Sequence, residues 1–159
     1  MSLPENDYQI LKLTDDFYKE YPNPPYVEIM KKQQRAYNCI LFQTHYGYFI
    51  CVPYRTEISH KYAYHFKNSK RSIRHKSGLD YTKIVIITNT KYIDIKDALI
   101  DKDEYNETIV NLEKIKSETL AFVEDYVSHI KGQKRLHEKE FKRRYSYSSL
   151  KYFHDEMGI

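Results

Sequence analysis

Apolar positions in this chain change rhythm near residue 100: short β-rich runs come before it, and a spacing of three and four residues takes over after it. The first run, YQILKL from Tyr8 to Leu13, is a strand candidate. Thr14 then offers an N-cap with Asp15 and Asp16 in the first turn, so TDDFYKEY predicts a brief helix ended by Pro22, Pro24 and Pro25. Those prolines make YPNPPY an extended connector. NCILFQT (Asn38 to Thr44) and YFICVPY (Tyr48 to Tyr54) flank HYG, which reads as a hairpin turn with Gly47 supplying the permissive φ. Pro53 has no N–H for a ladder, so the second strand is expected to end there or lie at an edge. TKIVIIT (Thr82 to Thr88) reads as a buried strand and YIDI (Tyr92 to Ile95) as a short one.

Beyond residue 100, Ile109, Leu112, Ile115, Leu120, Phe122, Val123, Tyr126, Val127 and Ile130 recur at helical spacing, with acids at the start and Gly132 past the end. The pattern predicts one long amphipathic helix from Asp103 to Ile130. A second helix is expected from Lys134 to Arg143, and a last one, capped by Ser148 or Ser149, packs Leu150 and Phe153 inward. Strands first and helices afterwards predict a single α+β domain over residues 1–159: a compact, twisted, mainly antiparallel sheet with helices laid on it. The strand–helix alternation of a doubly wound parallel sheet is missing.

A length of 159 residues is enough for a proper hydrophobic core. The formal net charge of +4 permits a polyanionic partner without demanding one. Its distribution says more. Val52 to Gly78 holds seven cations against the single acid Glu57, and Lys131 to Arg144 holds seven against two. Asp94 to Asp125 holds ten acids against four lysines, so basic and acidic stretches are segregated along the chain. The two cysteines, Cys39 and Cys51, sit in apolar strands and are expected as reduced core thiols. The N-terminal residues lack a basic start and a long apolar run, and no uncharged apolar stretch approaches 18 residues, so a cytoplasmic protein without a membrane partner is expected. There are 17 tyrosines and no tryptophan, rings suited to a core edge or to stacking on bases.

Glycine-rich nucleotide loops, HExxH, zinc spacings and a GxSxG elbow are all absent from the sequence. Asp101, Asp103 and Glu104 could bind magnesium, but helix starts attract acids anyway, and no metal or other cofactor is expected. What remains is VPYRTEISHKYAYHFKNSKRSIRHKSG, residues 52–78, with His60, His65 and His75 among its cations. Cutting RNA without a metal needs a base for the 2′-hydroxyl proton, an acid for the leaving 5′-oxygen, and donors for the phosphorane charge. Arg55, Thr56, His60 and Lys61 follow a strand directly and supply those residue types on a loop. Tyr54, Tyr62, Tyr64, Phe66 and Tyr81 interleave with the charges, as single-stranded RNA binding uses. Two plainer readings stand beside these: a solvated basic face, and a period-two Tyr62, Tyr64, Phe66 strand face looking into the core.

Taken in order, YQILKLTDDFYKEY, RAYNCILFQTHYGYFICVPYRT, SGLDYTKIVII, YNETIVNLEKIKSETLAFVEDYV and YSYSSLKYFHDEM resemble the toxins of type III toxin-antitoxin systems, the ToxN/AbiQ family. The resemblance implies a Kid/MazF-toxin-like barrel with surrounding helices. It implies a metal-independent endoribonuclease that cuts single-stranded RNA to a 2′,3′-cyclic phosphate, with mRNA and its own antitoxin precursor as targets. It implies inhibition by a small, repeat-derived pseudoknotted antitoxin RNA in a protein–RNA hetero-oligomer, and a role in abortive phage infection or plasmid maintenance. Members carry a Ser/Thr pair, then Pro and Lys, after the strand-ending proline. Here Thr56 matches the second hydroxyl, Arg55 replaces the first, and Lys61 or His60 fills the Lys position after extra residues, which leaves the proton acceptor open. Arg35 falls where members often have an RNA-contacting Lys, though a charge at a strand start reads equally well. Tyr54, His65, Lys67, Lys70, Arg71, Arg74 and Lys76, with Arg135, Arg143 and Arg144 from the second basic segment, are the expected RNA grip.

Overall fold

A computed structural model describes residues 8–30, 38–94, 96, 98 and 100–159. Arg35 and Ile95 therefore lie outside the described residues. Strands β1 (Tyr8–Leu13), β2 (Asn38–Gln43), β3 (Phe49–Arg55), β4 (Ala63–His65), β5 (Gly78–Asp80), β6 (Val85–Ile87) and β7 (Ile93–Asp94) form one antiparallel sheet. Its order is β4-β5-β3-β2-β1-β7, with β6 paired to β3. The expected closed barrel is not formed among the described residues. The terminal strands β4 and β7 are three and two residues long and lie at opposite ends, so no ladder joins them.

The β2–β3 hairpin pairs Gln43 with Phe49 through Cys39 with Pro53, and Gly47 takes φ +86° in its turn. Cys39–Phe42 and Ile50–Pro53 are buried on both faces, which is why these strands read as continuous apolar runs. Cys39 and Cys51 are free, buried thiols there. Contrary to expectation, β3 neither ends at Pro53 nor forms an edge. On the side away from β2, Phe49–Cys51 pair with β6, whereas Tyr54 and Arg55 pair with β5. Pro53 falls in the gap between those two ladders, where a missing N–H costs nothing.

Helix α1 (Asp15–Glu20) follows β1 as its cap pattern predicts, although Thr14 Oγ donates to the Lys91 carbonyl rather than capping. The proline connector is turned, not extended: Tyr26 N–H donates to Pro22 O and Val27 N–H to Pro25 O. The predicted long helix is two helices, α3 (Lys102–Val110) and α4 (Leu112–Ile130). Asn111, at φ −106° and ψ 18°, breaks it, and its side chain donates to Glu107 O. That is the local competition by which Asn disfavours helix interiors. Separated in this way, α4 buries Ile115, Phe122, Val123 and Tyr126, while α3 turns Glu104 and Thr108 inward.

A shorter helix α2 (Lys70–His75) lies inside the basic segment, α5 is Glu138–Tyr145, and α6 is His154–Met157. Tyr145 of α5 packs its ring 4.7 Å from Phe122 and donates its hydroxyl to the Phe122 carbonyl. Ser148 caps the turn Ser149–Tyr152 through Leu150 N–H, and Leu150 and Phe153 are fully buried as expected. No described helix is long and apolar enough to cross a membrane.

Candidate active site

Register sets the site. Arg55, the last residue of β3, lies opposite Gly78 of β5, and Asp80 ends β5 two residues later. Asp80 Oδ1 accepts from the backbone N–H and the hydroxyl of Thr82, capping the turn Tyr81–Lys83. Its other oxygen receives Arg55 Nη1 at 2.6 Å, and His60 Nε2 stands 3.2 Å from Oδ1. Asp80 is wholly buried while Arg55 and His60 are each about one third exposed, so a hidden anion holds two groups that face solvent. Burial alone would raise the Asp80 pKa. Hydrogen bonds from His60, Thr82 and Arg55 outweigh it and bring the carboxyl down to about 2.

Between Arg55 and His60 the chain is pinned. Ile58 is 1% exposed, and Glu57 and Ile58 donate their N–H groups to the carbonyls of His75 and Lys76. Glu57 (φ +57°) and Lys76 (φ +49°) are both left-handed, a conformation non-glycine residues adopt at a cost, Lys76 as the C-cap of α2. Thr56 is partly exposed, and no described group meets its hydroxyl. Lys61 is exposed with its Nζ 5.5 Å from the Tyr62 ring centroid. His60 is less available than its position in sequence suggested. Its Nδ1 accepts the Tyr62 N–H at 3.1 Å, so its proton sits on Nε2, directed at Asp80.

The basic segment and the acidic stretch, far apart in sequence, fold against each other. Glu107 accepts the backbone N–H groups of Lys67 and Asn68 and the Tyr64 hydroxyl, and Asp103 accepts Lys70 N–H. Buried Glu104 accepts the hydroxyls of Ser77 at 2.5 Å and Ser69 at 3.2 Å, with Arg71 Nε 3.7 Å away. Burial raises its pKa against those three partners. Arg71 also grips Asp101 at 2.9 Å. Asp101, Asp103 and Glu104 thus answer protein donors, Arg71 being shared by Asp101 and Glu104, and among the described residues no three metal-ligating side chains converge.

The expected RNA grip divides accordingly. Lys67, Lys70, Arg74, Lys76 and Arg135 are exposed, with no ion-pair partner among the described residues. Arg71, Arg143 and Arg144 are paired, the last two with Glu140 at 2.9 and 3.0 Å and Arg144 also with Asp125. The hydrogen bond from Arg144, and then the charges of Arg144, Arg143 and Lys61, hold the Glu140 carboxyl low. Tyr54 is turned from solvent: its ring stacks on Phe66 at 5.8 Å and its hydroxyl meets Thr108 at 2.9 Å. His65 donates from Nε2 to the His60 carbonyl, and Tyr64 and Phe66 are core residues, as their period-two spacing allowed.

Asp80 and the Glu57–His75 pair had no site reading from sequence, and Glu104 was weighed there only as a magnesium ligand. Only the Asp80-to-Thr82 spacing carried a signal, that of a local cap, and nothing in it pointed to Arg55. No known protein family matches the chain, and no curated protein or solved structure matches it.

Proposed function

We propose that the chain is a metal-independent endoribonuclease toxin of the type III toxin-antitoxin kind. In this reading it acts in the cytoplasm on single-stranded RNA and on its own antitoxin precursor, and a pseudoknotted repeat RNA restrains it in a protein–RNA hetero-oligomer. The observation that carries the reading is the Arg55–Asp80 pair. A buried carboxylate orients a guanidinium whose remaining donors are free to meet a phosphate, at the mouth of a pinned loop bearing Thr56 and Lys61. Arg55 stabilises charge developing on the phosphorane, Thr56 donates a short hydroxyl bond, and the Lys61 ammonium protonates the leaving 5′-oxygen. His60 ties the loop to Asp80. Lys67, Lys70, Arg74 and Lys76 supply the neighbouring cationic surface on which the strand lies.

The test is cleavage of a labelled single-stranded RNA by purified protein in excess chelator, with product ends identified. Arg55→Ala and Thr56→Ala should each lower the rate at least about 100-fold while RNA affinity stays within about tenfold. Expression without the repeat RNA should arrest bacterial growth. A non-catalytic RNA-binding role draws on one observation, the engagement of both His60 nitrogens. It predicts the same affinity with no cleavage.

A further inference from the structure

The basic segment holds three histidines, and their partners set them apart. His60 has both ring nitrogens occupied, and His65 is committed to a backbone carbonyl. His75 differs. Its Nδ1 lies 3.0 Å from Glu57 Oε1, and no described group meets its Nε2. A carboxylate at Nδ1 requires the proton on that nitrogen, so neutral His75 carries its lone pair on Nε2. The side chain is 57% exposed, so a bound strand can reach it.

The pairing is built into the backbone. Glu57 belongs to the loop that carries Thr56, and His75 ends α2, with Lys76 as its left-handed cap. The paired bonds from Glu57 N–H to His75 O and from Ile58 N–H to Lys76 O lock the two elements together. Both left-handed, non-glycine residues sit at this junction. The imidazole is therefore tied to Glu57, the residue that follows Thr56 in the chain, by main chain as well as side chain.

We infer that His75 is the general base of this site and Glu57 its positioning residue, an assignment that rests on the ribonuclease reading. His75 Nε2 takes the 2′-hydroxyl proton as the 2′-oxygen attacks the adjacent phosphorus. The O2′–P bond forms, the P–O5′ bond breaks, and the departing 5′-oxygen takes its proton from Lys61. The products are a 2′,3′-cyclic phosphate and a 5′-hydroxyl, and no co-reactant is needed. The charged group that meets His75 is Glu57 of the loop after β3, and Arg74, Lys76 and Asp101-paired Arg71 are the charges of its own segment.

The experiment measures kcat and KM on single-stranded RNA across pH for the wild type, His75→Ala and Glu57→Gln, with and without added imidazole. His75→Ala should lower kcat by about 100-fold or more, remove the acid limb of the pH profile, and recover part of its rate in imidazole. Glu57→Gln should lose less, and lose it in kcat rather than KM, as expected of a positioning residue. Melting curves should match, since His75 is exposed. A His75→Ala enzyme within about twofold of wild-type kcat and with the same pH profile overturns the assignment, as does a loss that imidazole does not restore. If the wild type itself leaves RNA intact, the ribonuclease reading falls first and the base assignment with it.

Discussion

Arg55 and Asp80 meet at 2.6 Å with their solvent exposure divided: the carboxylate is fully buried, and the guanidinium keeps an open edge. The pair joins the end of β3 to the end of β5 at the place where β3 has exchanged β6 for a new partner. Stability and the proposed chemistry therefore depend on the same contact.

Removing the anion should leave Arg55 and His60 without their shared partner. Asp80→Ala is expected to destabilise the fold by about 2–4 kcal/mol in urea titrations, below the cost for a wholly buried pair because Arg55 reaches water. The Asp80 carboxyl is depressed from 3.8 to about 2, so its contribution is complete above about pH 4 and disappears as pH falls through 2. The stability gap between wild type and Asp80→Asn should narrow over that interval. A constant gap would mean that the carboxylate charge contributes nothing.

Ser77 gives Glu104 its shortest hydrogen bond, in a position almost closed to water. Ser77→Ala should cost about 1.5–3 kcal/mol at neutral pH, the range for a hydrogen bond to a buried charge. Glu104 has a raised pKa, so its proton is bound more tightly in the folded state and its burial becomes less favourable as pH rises through that value. Glu104→Gln should flatten this fall, and guanidinium unfolding at a series of pH values reads it.

At Gly78 there is no room for a side chain. A Cβ there would overlap the Tyr64 carbonyl oxygen across the β4–β5 ladder, and neither backbone can withdraw without breaking that pairing. Gly78→Ala should cost about 3 kcal/mol or more, at the severe end of overpacking. Because Gly78 is the register partner of Arg55, RNA cleavage should fall even under conditions where the variant remains folded.

The cations of the basic segment should separate in their effects. Combined replacement of Lys70, Arg74 and Lys76 by Ala is expected to leave the melting temperature near wild type. On single-stranded RNA it should reduce the slope of log K against log salt by about 0.7 for each phosphate that the variant no longer neutralises. Fluorescence anisotropy between about 50 and 200 mM salt measures this. Arg71→Ala should act the other way, lowering stability first, because Arg71 joins α2 to Asp101 and Glu104.

The hairpin, its Gly47 turn, the short α1 and the apolar face of α4 were legible in the sequence because each follows from local rules: strand alternation, permissive φ, caps and helical spacing. Sequence placed Arg55, Thr56, His60 and Lys61 on one loop, but residue type alone did not choose among Thr56, His60 and Lys61 for the proton. Tertiary structure decided the rest. The ladder switch at Pro53 and the docking of the basic segment on the acids of α3 depend on how the chain folds back on itself, with partners 25 or more residues away such as Asp80 for Arg55 and Glu107 for Lys67. A side chain's type is written in the sequence. Whether it is free is set by which donor or acceptor the folded chain brings to it, and that separates the engaged nitrogens of His60 from the open Nε2 of His75.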